Sequence, residues 1–282
     1  MPKLDLTAAK RIKVASGEVT RLKGVGFEWV KPSGITQAEA LAMLYPGAEI
    51  GAYYEVHPSN LFTDTAGTAP VTADGQAVAR MTDLSGRGNH MIQGTAAARL
   101  LYRTNGTLHW LQADGIDDFF PTTFATRNDG SIGLSAVFDP TLGSNMYGFG
   151  CRYLMAGDPG IGFWYRGLND TPSLQVRTNT GNAFLDGPSG SYNLHAVGTA
   201  QSGAQRLTNG AELSTSAVSY APATATGFVL NIGEIGETGG GPALSSGVLR
   251  FKGKFYGGFY SSAVVSDADA DKLALRLASL AP

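Results

Sequence analysis

Cysteine is almost absent: Cys151 stands alone among 282 residues. No disulfide can close within the chain, so the fold rests on its core rather than on an oxidising compartment. A nucleophilic role for Cys151 has no histidine beside it in sequence, and a small buried apolar role is the simpler reading. Charge is scarce too, at 16% of residues against a usual quarter or so. No run approaches the roughly eighteen apolar residues of a membrane-crossing helix, so membrane insertion is not expected. The opening Met1-Pro-Lys-Leu-Asp-Leu scatters charge where a secretory apolar region would lie. That leads to an expectation of synthesis and assembly in a bacterial cytoplasm. There is no P-loop, no G-x-G-x-x-G after a credible strand and no G-x-S-x-G elbow. No H-x-x-x-H or C-x-x-C spacing occurs either, which leaves His57, His90, His109 and His195 as packed, hydrogen-bonded histidines in the simplest reading.

What is abundant is glycine, 38 residues spread without a collagen period, beside 43% hydrophobic residues. That combination predicts a substantial core interrupted by many tight turns. The net charge of −2 hides an asymmetry. Residues 1–32 carry seven basic and three acidic side chains, a balance of +4, so the rest carries −6. A basic arm on an acidic body predicts docking on an acidic partner. A protein partner fits better than nucleic acid, because the arm lacks a dense Lys/Arg run.

Along the chain, residues 1–32 read as short strands: Arg11-Ile-Lys-Val, Gly17 to Gly24, and Phe27-Glu-Trp-Val, ended by Pro32. Such a ribbon cannot hold itself together in water and must pack on something. Thr36 followed by Glu39 predicts a capped helix over 36–45, stopped by Pro46-Gly47. From Ile50 the pattern turns to β. Strands are expected at 50–56, 132–138, 146–153, 162–166, 174–177, 192–199, 205–207, 228–232 and 253–260, with Asn209-Gly210 as a hairpin turn. Ser266 and the acids after it predict a closing amphipathic helix with Leu273, Leu277 and Leu280 on one face.

Two segments carry a resemblance. Asp83-Leu-Ser-Gly-Arg-Gly-Asn-His90 is a polar loop, followed by Leu111-Gln-Ala-Asp-Gly-Ile-Asp-Asp-Phe-Phe120. Together they resemble the paired D-x-S-G-x-G-N-H and F-D-G-x-D-D motifs of concanavalin A-like (laminin-G-like) domains. The resemblance runs from about Gly51 to Phe120. It implies a mainly β chain: an antiparallel jelly-roll β-sandwich over 50–282 with a C-terminal helix, a linking helix over 36–49 and an anchoring arm over 1–35. It implies glycan binding and does not by itself imply catalysis. The arm is similar to attachment segments of structural proteins of tailed phages and gene transfer agents. The implied chain is a virion head spike, decoration or tail-fibre subunit, a homo-oligomer that binds capsid, portal or tail proteins. Arg11, Lys13, Arg21, Lys23, Phe27 and Trp29 would anchor it, and the sandwich would touch host surface polysaccharide.

Three constellations could carry chemistry. On a strand, Asp117 and Asp118 would point to opposite faces. With Asp83 and loop carbonyls, Asp117 could hold Ca2+, a cofactor the chain does not require, while Asp118 could contact sugar. The alternative is that Asp114-Gly115 is a turn and the aspartates tie loops together. In Phe163-Trp-Tyr-Arg166, alternation sends Trp164 and Arg166 to one face, where an exposed indole beside a cation would suit a pyranose. Trp164, Tyr165 and Arg166 are therefore candidate sugar contacts, with a plain core strand as the alternative. Finally, Glu234 and Glu237 are three residues apart, on opposite faces of a regular strand, and no E-x-D-x-x-E occurs. A non-catalytic protein is the resulting expectation, with a glycoside hydrolase or a purely architectural subunit as alternatives.

Overall fold

The computed structural model describes residues 13–14, 17–18, 21–24, 27–30, 34–139, 146–151, 160–166, 171–177, 182–189, 192–223, 229–233 and 250–282. The chain divides into Met1–Gly34 and Ile35–Pro282. In the first unit, Lys13–Val14 pairs with Gly17–Glu18 and Arg21–Gly24 pairs with Phe27–Val30, both antiparallel.

The second unit opens with helix α1, Gln37–Leu44. Its start is the capping box that the sequence predicts: the Glu39 amide donates to Thr36 Oγ1 (3.2 Å) and the Thr36 amide donates to Glu39 Oε2 (2.7 Å). Among the described residues, fourteen strands follow in two large sheets. In chain order they are β1 Gly51–Glu55, β2 Leu101–Thr104, β3 His109–Asp114, β4 Phe120–Pro121 and β5 Gly130–Phe138. Next come β6 Met146–Cys151, β7 Gly160–Arg166, β8 Thr171–Arg177, β9 Asn182–Asp186 and β10 Asn193–Gln201. The last are β11 Ala204–Thr208, β12 Glu212–Ser216, β13 Asn231–Ile232 and β14 Lys252–Ser261, after which helix α2 spans Asp267–Ala278. Between β1 and β2 a small three-stranded sheet forms from Leu61–Phe62, Arg80–Met81 and Met91–Ile92.

The eight-stranded sheet runs β12-β11-β10-β5-β14-β3-β2, with β1 also on β14. The six-stranded sheet runs β4-β13-β6-β7-β8-β9. Every pairing within them is antiparallel. This is the antiparallel β-sandwich with a C-terminal helix that the motifs imply.

Alternation builds the core. Ile132, Leu134, Ala136 and Phe138 of β5 meet Ile161 and Phe163 of β7 and Leu174 and Val176 of β8, all fully or almost fully buried. The sheets approach so closely that a Cβ on Gly198 would lie 2.3 Å from the Leu174 side chain. The other face of the eight-stranded sheet is covered by the helices: Ala270, Leu273, Ala274 and Leu277 of α2 pack with Tyr53, Val197, Phe259 and Leu44. Ser266 caps α2 by accepting from the Asp269 amide (3.2 Å). The Asn209-Gly210 turn joins β11 to β12, with Gly210 at φ 102°.

Candidate functional site

The Asp83-to-His90 loop is a staple. Asp83 is buried, and both of its oxygens are filled. Oδ1 accepts from the Tyr53 amide (3.0 Å) and the Ser85 amide (2.9 Å), and Oδ2 from Ser85 Oγ (2.8 Å) and the Asn89 amide (3.0 Å). His90 Nδ1 accepts from the Asp83 amide (3.0 Å), and the Asn89 side chain donates to the Gly51 carbonyl (2.7 Å). A carboxylate that already accepts four hydrogen bonds has little left for a cation. The expected pairing of Asp83 with Asp117 is corrected accordingly: among the described residues, the one group of three ligating side chains close enough to share an ion is Asp114, Asp117 and Asp118.

Those three sit on a turn, not a strand. β3 ends at Asp114, Gly115 takes φ 82°, and the chain re-enters extended structure only at Phe120. The opposite-faces argument for Asp117 and Asp118 does not apply there. The turn instead gathers their side-chain oxygens within 4.8 Å of one another and of Asp114. Asp114 Oδ1 accepts from the Ile116 amide (2.7 Å), and Asp118 Oδ2 accepts from the Asp114 amide (2.9 Å). Asp118 is buried while Asp114 and Asp117 are exposed. Burial pushes the Asp118 carboxyl up to about 6, reinforced by the charges of Asp114 and Asp117 and opposed by the Asp114 amide and Arg250. One carboxyl group is thus poised to carry a proton near neutrality, beside two others.

The second constellation lies on the face of the six-stranded sheet turned away from the core. Phe163 and Tyr165 point into the core, where Tyr165 packs on Phe138 and Tyr192 with ring centres 5.6 Å apart in each case. Tyr165 as a sugar contact is therefore corrected, because its ring is part of the inter-sheet core. Trp164 takes the outer face, as alternation requires. It is only 6% exposed, so it does not present an open platform.

Strand register sets two rows of residues on that face, which together we call the trough. Asn231, Gly150, Gly162, Gln175 and Phe184 stand in one row across β13, β6, β7, β8 and β9. The neighbouring row carries Trp164, Ser173 and Asp186. From Asn231 to Gln175 is three strand spacings, roughly 14 Å. The two positions between them in the row are Gly150 and Gly162, which bring no side chain of their own. Ser173 Oγ donates to Asp186 Oδ1 (2.5 Å). Phe184, 44% exposed at the sheet edge, marks where the row meets solvent.

Gln175 is the unusual member. It is 1% exposed, and both its amide nitrogen and its amide oxygen lack a hydrogen-bond partner. Thr171 Oγ1, on the same face of β8, also lacks one. Among the described residues no other buried side chain leaves two polar atoms unpaired. Each such group costs about 1–3 kcal/mol. An unpaired buried donor and acceptor in a fixed row suits a ligand that supplies both, as adjacent hydroxyls do. The polar stripe Thr171, Ser173, Gln175 is visible in the sequence as alternation with Leu174 and Val176. Its lack of partners is not.

The remaining candidates lie largely outside the described residues. That holds for Glu234 and Glu237, for Arg11, and for the side chains of Arg166, Cys151, Lys13, Arg21, Lys23, Phe27 and Trp29.

No protein-family model matches this chain, and no curated protein sequence matches it. Solved structures do. A GH54 α-L-arabinofuranosidase mutant soaked with 4-nitrophenyl α-L-arabinofuranoside matches with a TM-score of 0.52 at 14% identity, over 86% of this chain and 65% of that one. At that identity the likeness is one of fold alone: a β-sandwich. An arabinofuranosidase complexed with arabinofuranosyl-α-1,2-xylobiose matches at 0.49 and 18% identity, over 72% of this chain and 51% of that one. Domain 4 of the extracellular GH43 arabinanase AbnA from Geobacillus stearothermophilus, in complex with arabinotriose, matches at 0.47 and 13% identity, over 80% and 98%. The chain thus spans 51% and 65% of the length of the two arabinofuranosidases. The expectation of a non-catalytic protein is corrected here. A solved structure that shares this fold over most of the chain is a glycoside hydrolase, so the sandwich gives no ground for excluding catalysis.

Proposed function

We propose that this chain is a carbohydrate-active β-sandwich that holds a neutral glycan in the trough on the outer face of its six-stranded sheet. The observation that carries the reading is the Gln175 amide, buried and unpaired beside Trp164. Sugar hydroxyls would complete the amide, and the indole would cover an apolar sugar face. Arabinose-containing polysaccharides are the first to test, because the arabinofuranosidase with the shared fold was soaked with an arabinofuranoside.

The acid turn supports hydrolysis as the activity. Asp118 precedes Pro121 by three residues, at most about 10 Å of extended chain, and Pro121 is paired opposite Asn231 at the trough's end. Asp118, held near 6, is the general acid, and Asp114 or Asp117 is the second carboxylate. Their spacing, within 4.8 Å, is nearer the roughly 5–5.5 Å of retaining pairs than the wider gap of inverting ones. A general acid must be protonated to act, so hydrolysis should fall as pH rises through about 6. D118N can still accept from the Asp114 amide, and should keep binding while losing hydrolysis. Counting new reducing ends from arabinan and arabinoxylan between pH 4.5 and 8 checks both. A rate that is flat across that range, or unchanged in D118N, removes Asp118 from the chemistry.

The basic arm supports attachment of this unit to a larger particle through an acidic protein surface. Virion assembly and host-surface adsorption are the reading we attach to it, with many copies amplifying weak sugar contacts. Deleting residues 1–34 should leave sugar binding intact and abolish incorporation into particles, scored by co-sedimentation. Normal incorporation of the shortened chain would end this reading.

A further inference from the structure

A second cleft lies on the opposite side of the sandwich, at β1, β3 and the end of α2, with a volume of about 370 Å³. His57 and His109 both line it, beside Ser59, Asn60, Leu108 and Leu280. Their ring centres are 5.1 Å apart and their planes are 79° apart. Each ring is fixed at Nδ1. Tyr102 Oη lies 2.7 Å from His109 Nδ1, and the Tyr102 ring stacks on His109 at 5.8 Å. Ser59 Oγ lies 2.7 Å from His57 Nδ1 and donates onward to Asn60 Oδ1 (3.2 Å). The Ser59 amide donates to His57 Nδ1, at the longer distance of 3.3 Å. Ligation through His57 Nε2 requires the tautomer whose Nδ1–H donates to the hydroxyl over the short contact, with the longer amide bond given up.

Among the described residues neither Nε2 atom has a hydrogen-bond partner, in a cleft that both rings line. Two imidazoles that share a tetrahedral metal at about 2.1 Å from nitrogen hold their ring centres about 5 Å apart. The observed separation meets that condition. The hydroxyls of Ser59 and Tyr102 stand where outer-shell partners of metal-bound histidines stand. Glu55, also on the cleft wall, is engaged elsewhere: Arg276 Nη2 donates to both its oxygens (2.8 and 2.7 Å) and Tyr53 Oη donates to Oε1 (2.6 Å).

We propose that His57 and His109 form a two-imidazole site for a borderline transition-metal ion such as Zn2+, its remaining positions filled by water or an incoming donor. This site is independent of the trough and of the aspartate turn. The test is calorimetric titration of the tag-free full-length chain with Zn2+ alone, and with Ca2+ in parallel. The site predicts one saturable Zn2+ equivalent and no matching Ca2+ event. H57A and H109A should each weaken Zn2+ at least tenfold, D117N should not, and Y102F should weaken it about tenfold. Should an alanine variant fail to fold, nitrogen-detected histidine NMR on the wild-type chain decides instead, with Zn2+ moving the Nε2 signals of His57 and His109. Absence of saturable binding, retention of it in both histidine variants, or its loss in D117N overturns the site.

Discussion

Gln175→Met is expected to weaken glycan binding by about 10- to 100-fold while raising the melting temperature. The two effects have one origin. The native side chain buries a donor and an acceptor without partners in the free protein, and methionine has nearly the same shape with neither group. Removing unpaired buried polar atoms should stabilise the sandwich by about 1–3 kcal/mol, which for a domain of this size raises the melting temperature by about 2–4 °C per kcal/mol. The same change deletes two hydrogen bonds to the ligand, and about 1.4 kcal/mol of lost interaction is tenfold in affinity. Differential scanning fluorimetry and a binding isotherm on one preparation read both effects. A variant that melts lower and binds normally would mean Gln175 is a packing residue, and the trough would lose its main support.

Asp83→Ala is expected to be the most damaging single change outside the core, at about 3–5 kcal/mol. It leaves the amides of Tyr53, Ser85 and Asn89 without their acceptor, and the first of these lies in β1, where Tyr53 packs in the core beneath the helices. The melting temperature should drop by about 10 °C. Asp83→Asn should cost less. Its remaining oxygen can serve Tyr53 and Ser85, while its new amide group faces the Asn89 donor. Thermal melts that rank wild type above D83N above D83A support the staple. A D83A protein that melts like wild type would return Asp83 to the pool of free ligands.

The local signals that held are those whose partners lie within a few residues. Thr36 with Glu39, Ser266 with the acids behind it, and Asn209-Gly210 each close on themselves, and each stands where expected. The signals that misled depend on distant surroundings. Asp117 and Asp118 resemble strand residues only if Asp114-Gly115 is ignored, and the positive φ at Gly115 takes both out of the ladder. Strand β9, with its exposed edge residues Phe184 and Asp186, and the polar Glu212–Ser216 both lack a clear apolar alternation. They are strands because neighbours pair with them. Alternation placed Trp164 on the correct face, yet a face says nothing about what covers it, and the ring is buried. Gln175 shows the limit most sharply. An unpaired amide is a property of everything around it, assembled here by the register of five strands.

The central claim is that sugar enters the trough at Gln175 and Trp164. An NMR titration of the isotope-labelled chain with its tightest-binding arabino-oligosaccharide tests this most directly. The account predicts that the Gln175 side-chain amide and the Trp164 indole N–H move together and saturate with one isotherm, while His57 and His109 stay still. Saturable binding that leaves both trough signals unmoved would place the glycan elsewhere and contradict it.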